Sequence, residues 1–209
     1  MEKKQLNTRQ LLKDLAVILG GSIVGALGSK LLFSSAMGVA PIFMVDEGIC
    51  KIFHVSLGTA IWSVCAFFLL LGLLLDRRSI GLATVVTSLV SGVFIDLWAL
   101  VIPAAPEDLS VRVIFMLAGI VFSSLGAAIY LRPGRGGSCV EIVMLCLCRR
   151  TGIPIGAARM ISDALWFGIG WTLGGTWGWG TLASLALSGG LLQFFIKCLD
   201  KLQKKRLTA

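Results

Sequence analysis

The sequence predicts an all-α polytopic membrane protein made of two inverted repeats, each with three transmembrane helices and a short re-entrant or interfacial half-helix after its first span. Three observations predict it: an internal repeat, a composition too apolar for a soluble surface, and a one-sided distribution of arginine and lysine. The repeat is read by laying Gly28 on Gly126. At that register of 98 residues Gly38 falls on Gly136, Cys50 on Cys148, Gly58 on Gly156, Ala60 on Ala158 and Gly72 on Gly170. One deletion after Gly72/Gly170 carries the match on through Gly81 on Gly178, Thr84 on Thr181 and Ser91-Gly92 on Ser188-Gly189. Duplicated hydrophobic units are the usual construction of secondary transporters, which hold substrate between the repeats near the bilayer midplane.

The chain is 56% hydrophobic and 14% charged, whereas about a quarter of the residues of a soluble domain are charged. Its 25 glycines suit membrane helices, where they let backbones approach closely. A net charge of +8 would suggest nucleic acid in a soluble protein. Here the basic residues sit at the chain ends and in short loops, which sets membrane orientation, so the expected partner is the lipid bilayer and not nucleic acid. The six cysteines form no CxxC and have only His54 for company. Cys139, Cys146 and Cys148 therefore read as small apolar residues kept reduced near the cytoplasmic face, not as a metal site, and no cofactor is expected.

Six stretches are long and apolar enough to cross about 30 Å of hydrocarbon: Leu15–Phe33, Gly58–Leu75, Ile80–Val101, Val113–Leu131, Ile155–Leu173 and Trp179–Leu199. Pro41–Phe53 and Ser138–Cys148 are too short to cross and carry carboxylates, so they read as half-helices. The chain thus divides into a basic N-terminus (1–14), repeat 1 (15–101), an external loop (102–111), repeat 2 (112–199) and a basic tail (200–209).

If the half-helices do not cross, Lys3, Lys4, Arg9 and Lys13, Arg77-Arg78, the Arg132–Arg135 loop, Arg149-Arg150 and the Lys201–Arg206 tail all face the cytoplasm, and the acidic loop with Glu107 and Asp108 lies outside. Both termini are then cytoplasmic. Three spans per repeat is an odd number, so the copies insert upside down relative to each other. The first span resembles a signal peptide, but cleavage would remove an element whose repeat partner, Val113–Leu131, is internal. Small residues at Gly21, Gly25 and Ser29, at Ala83, Thr87 and Ser91, and at Ser184 and Ser188 recur every four residues, the spacing of helix-packing seams that say nothing of substrate.

A charge at the centre of a membrane helix costs about 2.5–3.5 kcal/mol on insertion scales. Arg159 and Asp163 are four apart in the fifth span, hence on one face. They form either a structural ion pair or a site, and Glu141 on the adjacent half-helix can join them. Their counterparts in repeat 1 are Ile61, Cys65 and Phe43, so repeat 2 alone holds the cluster. Burial would raise the pKa of Glu141, and Arg159 would oppose it. Asp96 and Gln193 are equivalent by the repeat and fall near opposite ends of the bilayer. Asp46, Glu47 and Lys51 read as a solvated interfacial face, and His54 as an incidental surface histidine. Of Trp166, Trp171, Trp177 and Trp179, most are interface anchors, and one, taken as Trp166, stacks on substrate. Gly174, Gly175, Gly178 and Gly180 have no following Lys-Ser/Thr and do not form a phosphate loop.

Repeat 1 carries Gly38-Val39-Ala40-Pro41, Ser56-Leu57-Gly58, Gly81-Leu82-Ala83-Thr84 and Phe94-Ile95-Asp96. Repeat 2 has Gly136-Gly137-Ser138-Cys139, Pro154-Ile155-Gly156, Gly178-Trp179-Gly180-Thr181 and Ser188-Gly189. With these motifs the chain resembles the YczE/YyaS/YitT family of small bacterial integral membrane proteins. The resemblance implies membrane placement more than activity, and it matches an acidic residue after the turn at Glu141 and an arginine followed by an acid at Arg159 and Asp163. The expected function is that of a transporter or facilitator for a small solute, with a substrate site drawn from Glu141, Arg159, Asp163, Asp96, Gln193 and Trp166. The alternatives are a substrate-binding subunit working with a separate ATPase module, and a non-transporting accessory protein; a homo-oligomer is also open. No catalytic cysteine, serine or histidine set is visible, so no enzyme is expected.

Overall fold

A computed structural model describes residues 8–75, 77–103 and 107–207. The expected cytoplasmic placements of Lys3, Lys4 and the end of the tail lie outside the described side chains. Eight α-helices follow in order: α1 (Thr8–Ser34), α2 (Pro41–Phe53), α3 (Leu57–Leu75), α4 (Leu82–Ala99), α5 (Leu109–Leu131), α6 (Ile142–Thr151), α7 (Ile155–Thr172) and α8 (Trp179–Leu207). Proline at the first position starts α2, where its missing N–H costs nothing. Asp108 caps α5 by accepting from Ser110 N at 2.9 Å, and Gly152 ends α6 in the left-handed region.

Among the described residues four helices are long and apolar enough to cross a membrane: α1, α4 through Val101, α5, and α8 as far as Leu202. Six were expected. The apolar stretch of α3, Thr59–Leu74, is shorter, and α7, which carries Arg159 and Asp163, is not among the four. The chain is a multi-pass membrane protein. The two half-helices of the sequence are α2 and a 3₁₀ turn at Cys139–Glu141 continued by α6.

The helices meet through glycine. Gly21 abuts the backbone of Gly126 and Tyr130, and Gly28, two turns further on, abuts Gly119 and Ser123, so α1 and α5 run antiparallel with no room for a Cβ between them. These contacts obey the register of the repeat: Gly21 meets the counterpart of Gly28, and Gly28 the counterpart of Gly21. Other seams repeat the exchange. Gly38, at φ 125°, lies against Gly178 and Thr181, while Gly136, at φ 90°, lies against Gly81 and Thr84. Both positive φ values lie where a side chain is strained and a close approach leaves no space for one. Gly180 N donates to Met37 O at 2.8 Å and Ala83 N to Arg135 O at 3.1 Å. Gly170 packs on Met44, and Gly72 on Ile142. These contacts exchange partners between the two halves of the chain.

One seam breaks the pattern. Gly156 of α7 backs onto Gly189 of α8, and its N–H donates to Gln193 Oε1 at 2.9 Å. Among the described residues α3 and α4 form no comparable seam, and a Cβ on Gly92, the counterpart of Gly189, would meet nothing within 4 Å. The expected free thiol at Cys139 is also corrected: Cys139 is paired in a disulfide with Cys65, Cα to Cα 5.4 Å, tying the 3₁₀ turn to α3. The two lie 74 residues apart in sequence, so spacing alone gave no hint of the pair.

Candidate functional site

Glu141 is placed by its own turn. Ser138 and Glu141 form a capping box, with Ser138 N donating to Glu141 Oε2 at 3.0 Å, a pattern that satisfies donors at a helix start. A side chain on Gly137 would press on Glu141 and Leu145 at 3.0 Å, so glycine there leaves the carboxylate its place. Tyr130, the chain's single tyrosine, lies near the end of α5 and donates to Glu141 Oε1 at 2.6 Å. From α7, Arg159 donates through Nη1 to Glu141 Oε1 at 3.2 Å and through Nε to Asp163 Oδ2 at 3.0 Å. Ser188 of α8 donates to the same Asp163 oxygen at 2.7 Å. A guanidinium holds two carboxylates in fixed directions because its donors form a rigid fork. The side chains of Glu141 and Asp163 are only 3% and 5% exposed, so an unpaired charge there would be costly. Burial raises the pKa of Glu141, and Arg159, Tyr130 and Ser138 oppose the rise.

One small inner cavity is walled in part by this network, and a larger outer one has none of its residues in the lining. The inner one, about 40 Å³, is lined by Ala40 and Pro41 from the first half and by Ser124, Arg159, Asp163 and Ser188 from the second. It has room for a few waters but not for a metabolite. The outer one, about 230 Å³, opens among Arg132, Leu145, Arg149, Ile155 and Asp200. Ala127 lines the inner cavity and Ala128 the outer, and both belong to an apolar layer with Met144, Ala158 and Leu192.

Of the expected site residues, Glu141, Arg159 and Asp163 come together and the other three do not. Trp166 is 5% exposed, stacked edge-on against Phe68 in a core with Cys139 and Ile142, so its indole has no free face for a ligand. Trp171, Trp177 and Trp179 are exposed. Gln193 lies at the α7–α8 seam, where its Oε1 accepts the Gly156 N–H. Asp96 is exposed on α4, whose matching seam is the open one.

Two further expectations change. Ser184 and Ser188 line the inner cavity and do more than pack. Asp46 is not on a solvated face: it is 2% exposed, with Oδ1 unpartnered, and burial pushes its pKa up to about 7. Its neighbours Glu47 and Lys51 do pair, at 3.0 Å, and anchor the α7–α8 loop through Thr176 and the Gly174 carbonyl. The sequence reading missed Tyr130, although a lone tyrosine at the end of a glycine-rich span was a signal. It also missed the ion pair of Asp14 with Arg135, 2.8 Å, which ties the second-half loop to α1.

Comparison with known proteins places the chain among bacterial membrane proteins. It is 26% identical over 190 residues to an uncharacterized protein of Haemophilus influenzae, covering 91% of this chain and 86% of the relative. It is 26% identical over 183 residues to the Bacillus subtilis protein YyaS, covering 87% and 91%. It is 25% identical over 177 residues to the B. subtilis membrane protein YczE, covering 83% and 81%. No solved structure matches. The model of a family of unknown function, DUF6198, matches residues 12–197, which takes in both halves and the whole charged network, and the chain belongs to that family, one of YczE/YyaS-like bacterial membrane proteins.

Proposed function

We propose that the protein is a transporter or facilitator for a small solute in the bacterial cytoplasmic membrane, with its site between two inverted repeats and both termini in the cytoplasm. The observation that carries this reading is the inner cavity: residues of both halves line it, and the partly buried Arg159, paired with the buried Asp163, forms part of its wall. Intramembrane charges on a shared cavity are costly and mark solute or ion pathways. The reciprocal contacts of the antiparallel α1 and α5 support inverted halves.

The single broken seam supports a mechanism. The α7–α8 seam is closed on Gly156 and Gly189, and its counterpart between α3 and α4 is open. Exchanging the two arrangements would close Gly58 on Gly92 and open the other side, which is alternating access by rocking of one repeat against the other. The inner cavity would enlarge to admit solute during that exchange. The test is a thermal-shift screen of the purified protein across metabolite classes, followed by uptake of the stabilising solute into proteoliposomes. The reading expects a solute whose stabilisation and uptake are lost in Arg159→Lys, which keeps the charge but not the fork. Uptake at the wild-type rate in that variant would contradict the site.

A further inference from the structure

The network has more acid than base. Glu141 and Asp163 share the one guanidinium of Arg159, so with both carboxylates ionised one negative charge is left over. Each hydrogen bond that Glu141 makes to Tyr130, Arg159 and Ser138 N is one it accepts, and none of these partners waits for a carboxyl proton from it. At Asp163, the bonds from Arg159 and Ser188 both fall on Oδ2, and Oδ1 receives neither.

The cavity wall beside Asp163 is rich in hydroxyls: Ser123, Ser124, Ser184 and Ser188. Ser184 donates to Thr181 O and Ser188 to Asp163, so the lone pairs of both oxygens stay available. Among the described residues Ser123 and Ser124 make no side-chain hydrogen bond. Ser124 is 5% exposed and lies on the wall of this polar cavity, so a ligand there can reach its hydroxyl.

We propose that the inner cavity binds a monovalent cation of the sodium type, held by Asp163 Oδ1 and the hydroxyl oxygens of Ser123, Ser124, Ser184 and Ser188. Hard cations choose carboxylate and hydroxyl oxygen over nitrogen or sulfur. A single positive charge matches the excess of one negative charge, which a divalent ion would overshoot. The volume of about 40 Å³ admits a bare or singly hydrated ion and excludes an organic cation. Arg159 lies on the same wall, but its Nε and Nη1 are turned to the two carboxylates. This inference goes beyond solute transport, since the ion is read out by binding whether or not a solute moves with it.

The test uses the full chain purified in detergent, unfolded thermally in choline chloride and in sodium chloride at equal ionic strength and constant pH. Sodium is expected to raise the midpoint saturably, by about 5 °C, because it binds only the folded state. Ser124→Ala loses no bond within the protein and should fold as wild type while shifting the sodium titration about tenfold toward higher concentration. Asp163→Asn should abolish the sodium response. If that variant fails to fold, Ser124→Ala alone decides. A midpoint that rises equally in choline, one that responds to pH but not to sodium, or a sodium titration unchanged in Ser124→Ala would each overturn the proposal.

Discussion

At the scale of residues, Arg159 is the keystone, because removing it leaves two buried carboxylates sharing no cation. Arg159→Ala is expected to destabilise the fold by about 3–5 kcal/mol, measured as loss of the denaturation midpoint in detergent. Tyr130→Phe removes one donor to a buried charge and should cost about 2 kcal/mol. Asp46 gives a pH test independent of the network. Its folded pKa of about 7 lies above its ordinary value near 3.9, so the folded state binds the proton more tightly than the unfolded chain does. The stability this contributes is complete below about pH 4 and is lost as pH rises through 7. Asp46→Asn should therefore stabilise the protein at pH 8 more than at pH 5, and equal effects at both would show that Asp46 is not buried as described. The pairing of Arg159 with Asp163 was legible from a four-residue spacing, and the joining of Glu141 from its place on the adjacent half-helix. The burial of Asp46 was not, because it depends on which face of α2 meets α7, and a helix with charges at 46, 47 and 51 gives no such phase from sequence.

At the scale of elements, helix ends were legible where arginine, proline and glycine bound a hydrophobic run: the half-helix α2 begins and ends where the sequence placed it, at Pro41 and Phe53, whereas of the six expected spans four are long and apolar enough to cross. The glycine seams were legible only in part. The α1 stripe was expected at Gly21, Gly25 and Ser29; Gly21 and Gly25 do meet the backbone of Gly126, and the next close approach falls at Gly28 instead of Ser29, because the helix periodicity allows both and only the partner's position decides. This makes a paired prediction. Gly28→Ala should destabilise, since its Cβ would overlap the Ser123 backbone, while Gly20→Ala, with nothing within 4 Å of the new Cβ, should be neutral or up to about 1 kcal/mol stabilising through helix propensity. Equal effects would dissolve the seam. The open α3–α4 face gives another. In a cysteine-free background, Gly58→Cys with Gly92→Cys should cross-link on oxidation and block uptake until reduced, and failure to cross-link would argue against closure of that face.

At the scale of the whole molecule, the duplication read from a register of 98 residues reappears as contacts that exchange partners between the halves, such as Gly38 on Thr181 and Gly136 on Thr84. What the repeat could not reveal is where the halves differ: Glu141 replaces Phe43, and α7 is sealed on α8 while α3 stands off from α4. Those differences locate the charged network and the proposed motion, and both rest on the halves being inverted in the bilayer. Inversion requires an odd number of crossings per half, which puts the loop between the halves on the opposite side from both termini. The most direct measurement is therefore labelling by an impermeant thiol reagent of single cysteines, Glu107→Cys and Thr208→Cys, in a cysteine-free background in intact cells and in inverted membranes. The account predicts that Glu107→Cys reacts only in intact cells and Thr208→Cys only in inverted membranes; reaction of both from the same side would contradict it.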